Sequence, residues 1–327
     1  MIILRVGDPH VKPNNIDEAD ALMNFVVGQA LKFSPHRIEI LGDLFHTHSI
    51  LRLEVIEFWD NWLEHLADIC ETIVLVGNHD QSGDYGSASN ALSVFKHIKN
   101  KKLKIVENAR HEGIFAYLAY HHDHKELVLK ANNMAALGAK VLVCHQTFDG
   151  SKYESGMYAP DGIDPALFHY DLIISGHIHS TQTIISPTQT VIYPGTAKWD
   201  TASDANESKG IWLYEHNDVT GAITKVEMLP TNEVCTPIIS VIWNEGEPMP
   251  ELPEKAKASV ELIGSGDWVT KNKAMLKGKV SVKSKITDKA NKERRQAGNS
   301  FLDFMTNLYD HVERANLLEY AKELKIV

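Results

Sequence analysis

Five short segments of this 327-residue chain end an apolar run with residues that can bind a cation or move a proton. ILRV runs into Gly7, Asp8, Pro9 and His10, IEIL into Gly42, Asp43, Leu44, Phe45 and His46, and TIVLV into Gly77, Asn78, His79 and Asp80. KVLVC delivers His145 and Gln146, and DLIIS delivers Gly176, His177, Ile178 and His179. Singly, each has an ordinary reading: Asp8 and Asp43 as turn or helix caps, Asn78 as a turn residue, His145 or His177 as a satisfied buried histidine. Together, five such endings point to a metal centre. A mixed set of Asp, Asn and His suits manganese, iron or zinc better than calcium, which prefers oxygen alone. A carboxylate can bridge two ions, and paired ions about 3.5–4 Å apart suit in-line attack on a phosphoryl group. Within GNHD this makes Asn78 a neutral oxygen ligand and His79 an acid that binds no metal.

For these residues to meet, strands distant in sequence must lie side by side with like ends together. The first half supplies that pattern: ILRV, DEADALMNFVVGQALKF, IEIL, LEVIEFWDNWLEHLA and TIVLV read as β-α-β-α-β. Val55, Phe58, Trp59 and Trp62 recur at helical spacing, whereas IVLV is short and uniformly apolar, as a buried strand is. The result is an α/β chain with a largely parallel sheet, whose strand carboxyl ends form the ligand crevice. A helix is predicted around residues 88 to 99, then strands in KIV and GIFAYLAY, and a helix in ELVLKANNMAALGA before KVLVC. TQTIIS and TVIYP flank a turn at Pro187 and Thr188, and GIWLYEH and AITKVEML follow, so the second half is richer in hairpins. Around Pro230 the character changes, and PMPELPEK punctuates a smaller C-terminal region.

With 43% hydrophobic and 23% charged residues, the composition is that of a globular protein rather than a fibrous or membrane one, and no apolar run is long enough to span a bilayer. MIILRVGDPH enters a strand without the features of an export signal, which predicts a cytoplasmic protein. Cys70, Cys144 and Cys235 form no paired spacing, which fits a reducing compartment and excludes a cysteine zinc ribbon; Cys144 reads as a core residue. His121, His122 and His124 in YHHDH read as a solvated loop, and His111, His169, His216 and His311 as structural or surface residues. A net charge of -10 argues against nucleic acid. Residues 271 to 295 nevertheless carry ten Lys and Arg against Asp288 and Glu293, so this segment is +8 and the remainder -18. It reads either as a duplex-binding patch or as a solvated strand and loop. KHIKNKKLK reads as the solvated end of a helix. Phe301, Phe304, Met305, Leu308 and Val312 paint one helix face, and Leu317, Leu318, Ala321 and Leu324 a second, with partner docking the favoured use.

The series GDPH, GDLFH, GNHD, HQ and GHIH resembles the calcineurin-like metallophosphoesterases, and most closely the SbcD type of DNA double-strand-break repair nuclease. GDLFH rather than GD-x-x-DRG, GNHD rather than GNHE, and the stretch VIYPGTAKWDTASDANESKGIWLYE carry the likeness to the nuclease branch. The resemblance covers residues 1 to 230 and implies a four-layer α/β/β/α sandwich of two mixed sheets there. It further implies a small α/β capping and DNA-binding domain at 231 to 295 and C-terminal helices at 296 to 327 that dock an SbcC-like ATPase subunit. By the same resemblance, Asp8, His10, Asp43 and His179 hold one divalent ion and Asp43, Asn78, His145 and His177 another, most naturally manganese. His79 then protonates the leaving oxygen and His46 contacts or orients the scissile phosphate. The implied function is a DNA exonuclease and endonuclease acting on double-stranded ends, hairpins or single strands, as a homodimer through the catalytic domain, with no membrane partner. Two alternatives share the fold: a phosphatase or small-molecule phosphodiesterase, and a clamp for DNA or the ATPase with weak cleavage. The sequence departs from the family at Pro9-His10-Val11-Lys12, where leucine and glycine are usual.

Overall fold

In the first strand, β1 (Ile2–Val6), Leu4 and Val6 join one buried apolar cluster while Ile3 joins another, so the strand is covered on both faces. The computed structural model describes residues 1–48, 50–82, 89–278 and 280–287. The chain divides into two compact units, the first ending at Ile238 and the second beginning at Ile239. The two apolar helix faces read at 301–324, His311, and the distal part of the basic segment lie outside the described residues.

The first unit follows β1 with α1 (Ile16–Phe33), β2 (Arg37–Ile40), α2 (Leu53–Ile69), β3 (Glu71–Leu75), β4 (Leu103–Val106), β5 (Ala109–Glu112), β6 (Phe115–Leu118) and α3 (His124–Ala136). Then come β7 (Val141–His145), β8 (Leu172–Gly176), β9 (Gln182–Ile185), β10 (Thr190–Tyr193), β11 (Gly210–His216) and β12 (Ile223–Pro230). One sheet has the order β12-β11-β1-β2-β3-β4 and the other β5-β6-β7-β8-β10-β9. In the first, β1 to β4 are parallel and β11 and β12 antiparallel; in the second, β5 and β9 are antiparallel edges of a parallel core. Leu22, Met23 and Val26 of α1 and Phe58, Trp59 and Leu63 of α2 pack with Ile38, Ile40 and Val74 on one side. Leu127, Ala131 and Met134 of α3 pack with Leu142 and Ile173 on the other. Ile3, Ile73, Leu75, Phe115, Val143 and Ile174 fill the space between the sheets. This is the expected four-layer α/β/β/α sandwich of two mixed sheets.

Two local features differ from the sequence reading. Residues Ala91–His97 form a 3-10 helix, in which the buried Leu92 and Phe95, three apart, lie on one face. β5, unpredicted, is a polar edge strand carrying Arg110, His111 and Glu112, residues that discourage further pairing.

The inter-sheet layer also holds charge. Arg5 Nε donates to Glu39 Oε2 at 2.7 Å, Tyr117 donates to the other Glu39 oxygen, and Arg37 Nη1 donates to Tyr117 Oη at 2.6 Å. Arg5 Nη1 also donates to His216 Nε2 at 2.9 Å, while His216 Nδ1 donates to Gly221 O at 2.8 Å, which fixes a neutral ring. Burial, reinforced by Arg5, lowers the His216 pKa from 6.5 to about 4. The folded state therefore binds fewer protons than the unfolded chain between these values. The associated stability is complete above pH 6.5 and is lost as the pH falls toward 4, on the order of 3 kcal/mol in all. His216→Gln should flatten the fall in unfolding free energy between pH 7 and pH 5, measured by urea titration. An unchanged slope would place the acid sensitivity elsewhere.

The second unit contains all but the first residue of β13 (Ile238–Asn244), together with β14 (Lys257–Gly264), α4 (Gly266–Leu276) and β15 (Ser281–Ile286), with sheet order β13-β14-β15 and β14 parallel to β15. Trp243, Val260, Leu262, Val269 and Leu276 make its core. Lys271, Lys273, Lys277, Lys283 and Lys285 are all exposed.

Candidate metal centre

Parallel pairing aligns the strand ends that carry the acids and histidines. Val6 lies opposite Ile40, Ile40 opposite Val74, and in the second sheet His145 opposite Gly176. The strands release their loops at one level, as a ligand crevice in an α/β sheet requires. The backbone there is bent sharply: Asp8, His10, Asp43 and His177 have φ of 25°, 44°, 51° and 80°. Each such residue costs about 1–3 kcal/mol and persists only where its surroundings over-determine it. Here His10 N donates to Asp43 O at 3.0 Å, His177 N to Asp8 Oδ2 at 2.7 Å, and His79 N to Asp43 Oδ1 at 2.9 Å. Gly77 and Gly176 leave the room: a Cβ would stand 2.1 Å from Asp43 Oδ1 at the first and 2.7 Å from Asp8 Oδ1 at the second.

The seven residues expected as ligands come together. His10 Nε2 lies 3.0 Å from His179 Nε2 and 3.6 Å from Asp43 Oδ2. His145 Nε2 lies 3.3 Å from the same Asp43 oxygen and 2.9 Å from Asn78 Oδ1, which is 2.8 Å from His177 Nδ1. Asp8 Oδ1 is buried without a hydrogen-bond partner, 3.8 Å from His145 Nδ1. Asp43 thus stands between the pair His10 and His179 and the trio Asn78, His145 and His177.

Electrostatics favours cations here. Burial works against charge on His145, yet Asp43 and Asp8 together raise its pKa to about 9. Burial, with Asp43 adding, pushes Asp8 up to about 6, while His145 and other histidines hold Asp43 well below the usual carboxylate range despite burial. Burial and the neighbouring His145 lower His177 to about 3. His145 Nδ1 donates to Leu41 O at 2.7 Å, which leaves Nε2, 2.9 Å from Asn78 Oδ1, as the ring nitrogen from which a cation would displace the proton. Buried carboxylates, imidazoles and one amide oxygen fit divalent first-row ions.

His79 is beside this set. Its Nδ1 donates to His46 O at 2.8 Å, which leaves Nε2 for proton transfer, and His48 stacks on its ring at 4.2 Å. Ligand atoms of His79, His10 and Asp43 lie within 4.8 Å of one another, so His79 can reach a group held among them. His46 is half-exposed at the rim, its Nδ1 3.4 Å from Asp200 Oδ2. YHHDH is a capping loop: Asp123 Oδ1 accepts from Lys125 N and Glu126 N to start α3. Cys144 is buried and its thiol pushed up to about 12, as a core residue would be.

Sequence reasoning missed three contributors. Asp80 accepts from Phe45 N at 3.0 Å and Gly77 N at 2.9 Å, tying the second and third loops together. Asp200 gathers His46, Lys12 and Lys198 around one carboxylate. Glu154 Oε1 lies 3.6 Å from His179 Nδ1, the position from which a carboxylate orients a metal-binding imidazole. Asp80 and Asp200 had a sequence signal, their places in GNHD and in the family-like stretch VIYPGTAKWD, and Glu154 had none. Glu154→Gln should weaken divalent-metal binding by roughly tenfold, read by calorimetric titration; an unchanged affinity would remove this role.

A shared carboxylate between two imidazole groups, at the strand ends of two facing mixed sheets, defines a metal-dependent phosphoester hydrolase. The family model for calcineurin-like phosphoesterases matches residues 1–181, and the chain belongs to that family. It is 30% identical over 227 residues to protein 244L of Invertebrate iridescent virus 6, described as a phosphoesterase, spanning 66% of this chain and 76% of that one. It is 25% identical over 204 residues to protein 078R of Invertebrate iridescent virus 3, described likewise, spanning 60% of this chain and 57% of the relative. Among solved structures, GAP50, the anchor in the inner membrane complex of Plasmodium, superposes with a TM-score of 0.43 at 15% identity, covering 70% of this chain and 88% of that one. The chain is therefore a phosphoesterase of a family that uses divalent metals. Among the described residues, no helix is long and apolar enough to cross a membrane.

Proposed function

We propose that this phosphoesterase is a manganese-dependent DNA phosphodiesterase, the exonuclease and endonuclease subunit of a double-strand-break processing complex with an SbcC-like ATPase. The observation that carries the reading is the meeting of the two segments that most resemble the nuclease branch: His46 of GDLFH stands 3.4 Å from Asp200 of VIYPGTAKWD at the rim of the centre. Asp8, His10, Asp43 and His179 would hold one ion and Asp43, Asn78, His145 and His177 the other, with Asp43 shared. Two divalent cations, when bound, supply the Lewis-acid charge that activates water and offsets charge on the phosphoryl group. His79 gives a proton to the leaving oxygen, and His46 orients the scissile phosphate.

The region 231 to 295 would bind DNA, and the five exposed lysines support a salt-sensitive grip on the backbone. Residues 296 to 327 would dock the ATPase, and the catalytic region would form a homodimer. A second reading, a small-molecule phosphoesterase, draws support from the charge of -18 outside residues 271 to 295, which disfavours a polyanion. End-labelled duplex DNA incubated with manganese, magnesium or chelator separates them. Degradation that needs manganese and falls steeply with salt is the expected result. Hydrolysis of free nucleotides, with duplex DNA untouched in the presence of the ATPase subunit, would overturn the nuclease reading.

A further inference from the structure

Lys12 occupies an unusual place. The turn at His10 is followed by Val11, whose N–H donates to Leu44 O at 2.9 Å, and Lys12 N then donates to Asn15 Oδ1 at 2.8 Å, so the backbone is fixed on both sides. The Lys12 side chain reaches Asp200, with Nζ 2.9 Å from Oδ1. The Asp200 side chain is only 3% exposed, while that of Lys12 is 25% exposed and that of His46, on the other carboxylate oxygen, 36%. Beneath them Lys198, 1% exposed, lies 3.4 Å from Asp200 Oδ1. The buried Lys198 and Asp200 offset each other's charge, so the charge of Lys12 remains in surplus at the rim. Lys12 and His46 are separated by no more than their two contacts and the width of one carboxylate, the scale of one step between phosphates along a strand.

We propose that Lys12, positioned by Asp200, forms a subsite for a second phosphate group next to the phosphate undergoing hydrolysis. The substrate class is then a phosphodiester with a neighbouring phosphate, within a strand or at its terminus, rather than an isolated diester. This rests on the phosphodiesterase reading of the same site. An ion pair that merely braces the loop would confer no preference for a second phosphate.

The test compares phosphorothioate-linked thymidine dinucleotides without a terminal phosphate, with one at the 5′ end, and with one at the 3′ end. Their Kd values for the manganese-loaded full chain are measured by NMR titration or calorimetry. In the unaltered protein one phosphorylated form should bind roughly fivefold tighter than the unphosphorylated form. Lys12→Met should erase most of that ratio and Lys12→Arg should keep it. Because each ratio is taken within one variant, a general loss of affinity cancels. No preference in the unaltered protein, or the same preference in Lys12→Met, overturns the subsite. Duplex DNA left uncut while the Lys12-dependent preference stands would instead sink only the nuclease reading.

Discussion

Asp43→Asn should reduce phosphodiester hydrolysis on the order of 10⁴-fold, a loss of about 5 kcal/mol in transition-state stabilisation. The divalent metal bound per chain should fall with it. Asp43 stands between both histidine groups, 3.6 Å from His10 Nε2 and 3.3 Å from His145 Nε2 through the same oxygen. Its other oxygen accepts the His79 N–H at 2.9 Å, so the substitution also loosens the loop that carries the acid. Asparagine keeps the volume and one oxygen but removes the charge and one acceptor. Metal content by elemental analysis and turnover of a nitrophenyl diester measure the two effects. A variant that still bound two ions and turned over normally would rule out Asp43 as the shared residue.

The second large effect belongs to His79 and depends on the leaving group. On the proposed nuclease reading, His79→Asn should slow cleavage of DNA, whose leaving oxygen is an alkoxide in need of a proton, by about 10³-fold. A nitrophenyl diester, whose leaving group departs without a proton, should lose less than about tenfold. Both ions should stay bound, since His79 Nδ1 is engaged with His46 O and the seven expected ligands are untouched. Burial lowers the His79 pKa below its ordinary value, and Asp43 and the His46 carbonyl oppose this only in part. Equal losses on both substrates would show that His79 holds the site together and transfers no proton.

Most of the centre was legible because parallel strands buried on both faces read as unbroken apolar runs, and their exits place Gly, Asp and His at fixed offsets. Asp8, His10, Asp43, Asn78, His145, His177 and His179 each follow such a run, and register alone brings them to one level. Glu154 and Lys12 had no such marker. Glu154 belongs to a loop between β7 and β8, where a glutamate is ordinary, and it matters only because the fold returns it to His179. Lys12 was visible as a departure from the family pattern, but its partner is Asp200, 188 positions away, and that pairing is a property of the tertiary structure. Secondary structure was misread where the signal was weakest: Leu92 and Phe95 suit either helix type, and the polar strand β5 is strand only because β6 pairs with it.

The four left-handed residues Asp8, His10, Asp43 and His177 bear on the history of the chain as well as its chemistry. At these positions glycine would relax the backbone, so selection for stability and selection for activity pull in opposite directions. A lineage freed from the need to hydrolyse phosphoesters would drift toward glycine or asparagine at these four sites before its core changed. In this chain all four sites carry aspartate or histidine, so none has taken that relaxing step.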